Sequence, residues 1–293
     1  MAEQVIEACL PRAVESRRIG ITGVPGAGKS TFIEALGTYL TREKGERVAV
    51  LAVDPSSPLT GGSILGDKTR MPQLASDELA FVRPSPSGQS RGGVSGNIRD
   101  AIVLCEAAGF TNIFIETVGV GQAEAAVASV ADFFLLLLLA GAGDELQGMK
   151  RGILELADLI LINKADGDNV AAANTARAQY ESALRLFPTR PEVVTCSALY
   201  REGISKIWTM VMGHLEGTKA SGRFEEQRRE QARRAIYDAI EEALRKKFLG
   251  DSRVQQQLAS LEAEVVENRM SPRRAAHQVL GLGTSHKMDR EHR

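Results

Sequence analysis

Residues 23–31, Gly23-Val24-Pro25-Gly26-Ala27-Gly28-Lys29-Ser30-Thr31, stand directly after the apolar run 19–22 and directly before a stretch of helical character. The first eight fit G-x-x-x-x-G-K-[ST] in full, and the flanks are those the pattern needs: a strand, a tight glycine turn, a helix. The glycines let backbone N–H groups turn inward around a β-phosphate, and the helix start adds its dipole. Lys29 neutralises the β- and γ-oxygens, and the Ser30 hydroxyl is placed to ligate Mg²⁺. A glycine-rich turn with a chance lysine is the alternative reading, and two correct flanks argue against it.

Around this unit, short β-rich runs alternate with helix-like segments over residues 18–217, the signature of βα units wound around a mostly parallel sheet. The expected strands are 19–22, 48–53, 80–83, 113–116, 133–138, 159–162 and 193–196; the expected helices are 30–44, 93–108, 147–157, 171–186 and 204–215. Residues 1–17 form a short preceding segment. After Gly217 the texture changes. Residues 218–223 are small and polar, a linker, and 224–269 are charge-rich with Ile236, Ile240, Leu244 and Phe248 at helical spacing. Such a helical arm, taken as residues 218–280, cannot bury its apolar stripe alone; it packs on the domain or on a second subunit, and a homodimer is the favoured outcome. Residues 281–293 read as a disordered tail. The expected fold class is therefore α/β, a P-loop domain with a doubly wound sheet plus a C-terminal helical arm.

Composition sets the remaining bounds. With 293 residues, 43% apolar and 25% charged, the chain has the make-up of an ordinary globular protein, and a net charge of -1 gives no reason to expect nucleic acid or an anionic membrane as partner. No export signal precedes Arg17, and the longest apolar stretch, 133–140, falls far short of the roughly 20 residues a membrane span requires. It reads as a strand buried on both faces. Cys9, Cys105 and Cys196 are odd in number and widely spaced, which favours free thiols in a reducing cytoplasm.

A phosphate loop does not choose between ATP and GTP, but Asn163-Lys164-Ala165-Asp166 follows the apolar run 159–162, where a nucleotide base would lie at the strand ends. This is the N-K-x-D pattern of GTPases. The Asp166 carboxylate can accept from both N1–H and the exocyclic amine of guanine, whereas adenine offers neither donor there. Ser197-Ala198-Leu199, after the expected last strand, matches the short loop whose N–H groups meet guanine O6.

Three further loops fall on the same sheet edge. Asp54 closes the second strand, and a glycine-rich segment carrying Asp67 follows; two carboxylates there suit sensing of the γ-phosphate and its Mg²⁺, Asp54 being the better placed. Glu116-Thr117-Val118-Gly119 stands where GTPases carry D-x-x-G, with the Gly119 N–H available to the γ-phosphate. Val120 follows Gly119 and Gln122 lies further on, so the glutamine that small GTPases use to orient water has no evident counterpart, and slow intrinsic turnover accelerated by a partner is expected. The third loop, 141–150, is dense in polar groups, among them Asp144, Glu145, Gln147 and Lys150; an ordinary helix cap at Asp144 accounts for it equally well.

With these residues in view the chain resembles the methylmalonyl-CoA mutase-associated GTPases, the MeaB family, over residues 17–282. The match is carried by blocks 20–31, 49–57, 61–71, 116–122 and 141–148. The resemblance implies a homodimeric G-protein chaperone that gates delivery of adenosylcobalamin to an acyl-CoA mutase and protects that mutase from inactivation; the chain would meet adenosylcobalamin only through the mutase. It also implies that Asp54 and Asp67 lie in a first switch, Glu116 to Gln122 in a second, and Asp144 to Lys150 in a third that answers to the mutase. Catalytic roles are thereby expected for Lys29, Asp54, Asp67, Glu116 and Lys150, with Ser30, Asp54, Asp67 and Glu116 around the metal. One departure stands out: sixteen residues precede Arg17, where the family usually carries a longer helical extension.

Competing readings are a metal-ion insertion GTPase, a nucleotide-dependent kinase and a transport-linked ATPase. The histidines, at 214, 277, 286 and 292, are scattered and no C-x-x-C exists, which disfavours metal insertion; Asn163 and Asp166 disfavour an ATP-dependent kinase. A cobalamin site of the D-x-H-x-x-G kind fails at Met212, which stands where the aspartate should be relative to His214. Which acyl-CoA mutase would be served is not written in the residues.

Overall fold

Phe133 to Leu139 is the most apolar strand in the chain, and both of its faces are covered. Successive side chains of a strand point to opposite faces. Phe133, Leu135 and Leu137 join one core cluster with Phe32, Leu36, Trp208 and Val211, while Leu136 and Leu138 join another with Ile160, Ile162 and Tyr180. At about 1.5–3 kcal/mol for each fully buried large apolar side chain, this strand supplies a substantial part of the driving force for sheet assembly.

The computed structural model describes residues 2–54, 70–86, 91–117, 123–141, 151–185, 187 and 190–284. In chain order the elements are α1 (Ala2–Cys9), β1 (Arg17–Gly23), α2 (Lys29–Lys44), β2 (Val48–Asp54), α3 (Pro72–Ala75), β3 (Ala80–Pro86), α4 (Arg91–Ala107), β4 (Asn112–Thr117), α5 (Ala123–Ala128), β5 (Phe133–Leu139), α6 (Arg151–Leu156), β6 (Leu159–Asn163), α7 (Val170–Leu184), β7 (Glu192–Thr195), α8 (Ile204–Ala220), α9 (Arg223–Leu249), α10 (Ser252–Val266) and α11 (Pro272–Thr284). All pairings in the sheet are parallel, in the order β3-β2-β4-β1-β5-β6-β7. The chain winds outward from β1 in both directions, and the carboxyl end of β1 is the crevice where such sheets bind ligands. Every strand expected from sequence is present; the last ends at Thr195, one residue early, and the chain start forms the helix α1.

The chain divides into two compact units, Met1–Ala235 and Ile236–Arg293. Composition suggested a linker over 218–223, yet α8 continues to Ala220, and only Ser221 and Gly222 separate it from α9. Small polar residues do not stop the helix because their hydroxyls turn back onto it: Thr218 Oγ1 donates to the Leu215 carbonyl and Ser221 Oγ to that of Thr218. Gly222, at φ 73°, makes the break.

The first turns of α9 belong to the first unit. Phe224 is buried in the core, Gln227 and Gln231 both donate to the Ala131 carbonyl, and the Arg228 guanidinium clasps Asp132 at 2.5 and 2.6 Å while reaching the Ser16 carbonyl. This is why the first unit extends to Ala235 and not to Gly217. Burial pushes the Asp132 carboxyl above its ordinary range, against the pull of Arg228 and Arg18. In the second unit Val254, Leu261 and Val279 form a small core with Phe248, Leu258, Met270 and Ala275. The helix α11 extends to Thr284, into the stretch expected to be disordered; residues 285–293 lie outside the described residues. Among the described residues no helix is long and apolar enough to cross a membrane.

Candidate functional site

The loop after β1 is built on backbone conformations that only glycine adopts cheaply. Gly23 closes β1 at φ 153°, and a Cβ there would meet the Leu137 carbonyl oxygen at 2.1 Å. Gly26 and Gly28 sit at φ 80° and 84°, so the chain turns back sharply and enters α2 with its amides facing inward. Val24 accepts from the Ala27 N–H at 3.1 Å, which closes the turn; Pro25 and Gly26 face solvent, Ala27 is buried, and Thr31 is exposed on the first turn of α2.

Lys29 is 8% exposed, and its Nζ donates to the carbonyls of Gly23 at 2.9 Å and Val24 at 3.2 Å. An ammonium has three donors, so these two bonds aim the side chain along the loop and leave one donor for a phosphate. Burial holds the Lys29 pKa below the usual lysine range; the Glu116 carboxylate opposes this, the Arg70 cation reinforces it, and the Glu124 carboxylate opposes it again. Ser30 Oγ donates to Glu116 Oε1 at 3.3 Å, bringing together the expected hydroxyl and carboxylate. Oxygen donors of this kind fit a hard cation such as Mg²⁺, which keeps several waters and takes one or two carboxylates from the protein. Behind them Thr22 and Thr117 share a buried hydroxyl hydrogen bond of 2.7 Å that locks β1 to β4.

Two charged residues near Lys29 were not singled out from sequence. Glu124 on α5 is 2% exposed, and its Oε2 has no hydrogen-bond partner among the described residues. Arg70 stands just before α3, exposed. Glu124 belongs to no spaced motif, whereas Arg70 lies within the block 61–71 without having been given a role there.

The base-reading residues gather around Asn163, at the end of β6 and 1% exposed. Its Nδ2 donates to the Ala27 carbonyl at 2.7 Å, and its Oδ1 accepts from the Ala198 N–H at 3.0 Å and from the Cys196 thiol at 3.5 Å. One buried amide thus ties the phosphate loop to the 197–199 loop. Ser197, fully buried, donates from Oγ to Asp166 Oδ2 at 2.5 Å and accepts from the Tyr200 N–H at 3.3 Å. Lys164, exposed with φ 59°, turns the chain so that Ala165 N–H reaches the Cys196 carbonyl and Asp166 faces the serine. Ser197 and Glu202 exchange both backbone bonds, closing the loop. The Ser197 and Ala198 amides are therefore both used internally, and Leu199 is 69% exposed. All three cysteines are free; burial pushes the Cys196 thiol up to about 12 and the Cys105 thiol up to about 11, as core residues would behave.

Asp54 closes β2, its backbone in register with Pro86. Asp67, Gly119, Asp144, Glu145, Gln147 and Lys150 lie outside the described residues.

A phosphate loop at the centre of a doubly wound parallel sheet, joined by a buried asparagine to an aspartate-bearing loop at the same edge, defines a P-loop protein with the GTPase fold. The chain belongs to the MeaB family: the family model described as "Methylmalonyl Co-A mutase-associated GTPase MeaB" matches residues 1–253. It is 45% identical over 284 residues to "GTPase ArgK" of Escherichia coli K12, a match covering 95% of this chain and 86% of that protein. It is 46% identical over 268 residues to "Methylmalonic aciduria type A homolog, mitochondrial" of Mus musculus, covering 90% of this chain and 64% of that protein. Among solved structures, a "LAO/AO transport system kinase" superposes with a TM-score of 0.74 at 38% identity, covering 96% of this chain and 86% of the other.

Proposed function

We propose that this chain hydrolyses GTP and acts as a homodimeric, cytoplasmic G-protein chaperone, gating adenosylcobalamin delivery to an acyl-CoA mutase and protecting that mutase. The observation that carries the nucleotide part is the Asn163 side chain, which bonds the phosphate loop at Ala27 and the base loop at Ala198. A side chain in that position makes triphosphate binding and base reading one structural unit. The mutase part is supported by the family description and by the likeness to the mouse methylmalonic aciduria protein.

In this reading the amides of residues 24–31 and the third Lys29 donor take the β- and γ-phosphates, each charge-assisted hydrogen bond contributing about 1.5–3 kcal/mol. Asp166, held by Ser197, accepts from N1–H and the exocyclic amine of guanine; with Ala198 N–H committed to Asn163, the Leu199 amide is the loop donor for O6. Ser30, Glu116, Asp54 and Asp67 would hold Mg²⁺, which neutralises charge on the β,γ-oxygens when bound. Gly119 offers its amide to the γ-phosphate, while Asp144, Glu145, Gln147 and Lys150 answer to the mutase. Val120 follows Gly119 and Gln122 lies further on, so the water-orienting glutamine of small GTPases has no evident counterpart in the sequence; on that ground intrinsic turnover is read as slow and the mutase as completing the site.

Calorimetry of the full chain with Mg²⁺ and GDP, GTP, ADP or ATP, followed by single-turnover hydrolysis with and without candidate acyl-CoA mutases, tests this. Guanine preference with mutase-stimulated turnover is expected; equal affinity for adenine nucleotides, or fast hydrolysis by the chain alone, would overturn it.

A further inference from the structure

The base loop is closed at its stem and tethered at its tip. Ser197 and Glu202 exchange both backbone bonds, at 3.1 and 2.9 Å, so residues 198–201 form the turn between them. Its flanks are anchored in the core: Cys196, Ser197 and Ala198 are buried, and so is Ile204 at the start of α8. The tip is bare by contrast, with Leu199 69% and Tyr200 64% exposed. Arg201 stands there at φ 60°, a left-handed conformation that a residue with a side chain keeps where its surroundings hold it in place.

The Arg201 guanidinium donates from Nη2 to Gln73 Oε1 at 2.9 Å. Gln73 is a firm attachment. Its own N–H, in the first turn of α3 where helical amides lack intrahelical partners, donates to Glu34 Oε1 at 2.6 Å. Its neighbours Met71 and Leu74 are buried and share a core cluster with Phe32, Ile33 and Leu36 of α2. Leu74 fills the gap at Gly37, where a Cβ would meet its Cδ1 at 2.7 Å. Glu34 and Gly37 belong to α2, the helix that opens with Lys29 and Ser30.

The base loop is therefore tied to the phosphate-loop unit in two places. Inside, Asn163 bonds both Ala27 and Ala198; at the surface, Arg201 reaches Gln73 and through it Glu34. Leu199 lies between the two tied positions, 198 and 201, so its amide is held from both sides. A turn pinned at both ends cannot swing about either one.

We propose that the Arg201–Gln73 pair is a surface latch on the nucleotide: it positions the Leu199 amide against O6 of guanine and sets how fast a guanosine diphosphate leaves. The inference rests on the GTPase reading above. Arg201 does not touch the nucleotide; it is a positioning residue that acts through the loop. With the latch closed the Leu199 N–H stays aimed at an acceptor in the plane of the base, and the turn must let go of Gln73 before it can move off. Losing the latch therefore speeds departure more than it slows encounter, as is usual for contacts made in a bound state.

The experiment follows release of a fluorescent GDP, with calorimetric affinities beside it, in the presence of Mg²⁺. It compares the full native chain with Arg201→Gly, Gln73→Ala and the double variant. Glycine adopts φ 60° without strain, so Arg201→Gly removes the side chain and keeps the turn. Two further ligands separate the parts of the site. In 6-thio-GDP a sulfur, a weaker acceptor, replaces O6, and inosine diphosphate lacks the exocyclic amine read by Asp166. GDP release is expected to be about three- to tenfold faster in each single variant, the size of one net hydrogen bond, and no faster in the double variant. The preference for GDP over 6-thio-GDP shrinks, whereas the preference over inosine diphosphate stays native; a loss of general stability would move both alike. Arg201→Lys, whose ammonium can still donate to Gln73 but lacks the planar fork, recovers part of the native rate. Native release rates in both single variants, additive effects in the double variant, or an equal fall in both base preferences would overturn the latch while leaving guanine binding intact. Should Arg201→Gly lower the thermal midpoint, Gln73→Ala decides the matter by the same measurements. Failure of the native chain to bind guanine nucleotides at all would overturn the GTPase reading, and the latch with it.

Discussion

Asn163 concentrates more of the site's organisation than any charged residue in it. Fully buried, it spends its amide donor on the phosphate loop and its carbonyl on the base loop, so neither partner group is left unsatisfied. Leaving such groups buried without partners costs about 1–3 kcal/mol each, which fixes the residue type. Gly28 belongs to the same arrangement: a Cβ there would come within 2.7 Å of Asn163 Nδ2. Asp166 is less buried, and its role is discrimination. Asp166→Asn replaces an acceptor with a group that can donate to the O2 carbonyl of xanthine while losing the pairing to guanine. GDP affinity should fall by about 10²-fold or more while xanthosine diphosphate gains, measured by calorimetry on both nucleotides. A variant that keeps its guanine preference would remove Asp166 from the base site.

At the scale of elements, helix ends decide where the structure responds to solution conditions. Asp251 caps α10: its Oδ1 accepts from the Arg253 N–H at 2.9 Å, and its side chain also pairs with Arg253. The side-chain hydrogen bond to Arg253 and the backbone bond hold this carboxyl down at about 2 from an ordinary 3.8. A carboxyl lowered on folding contributes stability that is complete above the unfolded value, and that is lost as pH falls through the interval between about 4 and about 2. Because the carboxyl sits at the surface, where solvent screens it, the effect is small. Asp251→Asn keeps a capping residue but cannot titrate, so the gap in unfolding midpoint between native and variant should close as pH falls from 5 to 2, followed by circular dichroism. A gap that stays constant would show that the cap does not depend on charge.

At the scale of the molecule, the stripe on α9 is left facing solvent. Ile236 is 61% exposed, Tyr237 67%, Ile240 48% and Leu244 61%, whereas Phe248 joins the small core of the second unit. Apolar residues recurring at helical spacing on one face are costly to leave wet, and a second copy of this chain covering them is the dimer proposed above. Ile240→Asp combined with Leu244→Asp should give monomers by light scattering while GDP affinity, a property of the first unit, stays native. Dimers that survive the double substitution would place the contact elsewhere.

The sequence by itself determined the seven strands, the phosphate-loop turn and the asparagine–aspartate motif, because these depend on local periodicity and on residue types that a single turn requires. Glycines at 23, 26 and 28 announce their backbone, and an apolar run as short as 133–138 reads as a buried strand, which it is. Tertiary structure alone decided which groups meet. Asn163 and Ala27 are 136 positions apart, and Ser30 and Glu116 are 86 apart, so their bonds exist only because the parallel sheet delivers both strand ends to one edge. The same holds for Glu124, which carries no spacing signal, is buried on α5 and acts on Lys29 through its charge. It holds too for the boundary near Ala235: composition marks where polar residues cluster, but Phe224, Gln227, Arg228 and Gln231 bind the start of α9 to the first unit, through contacts that no local pattern encodes.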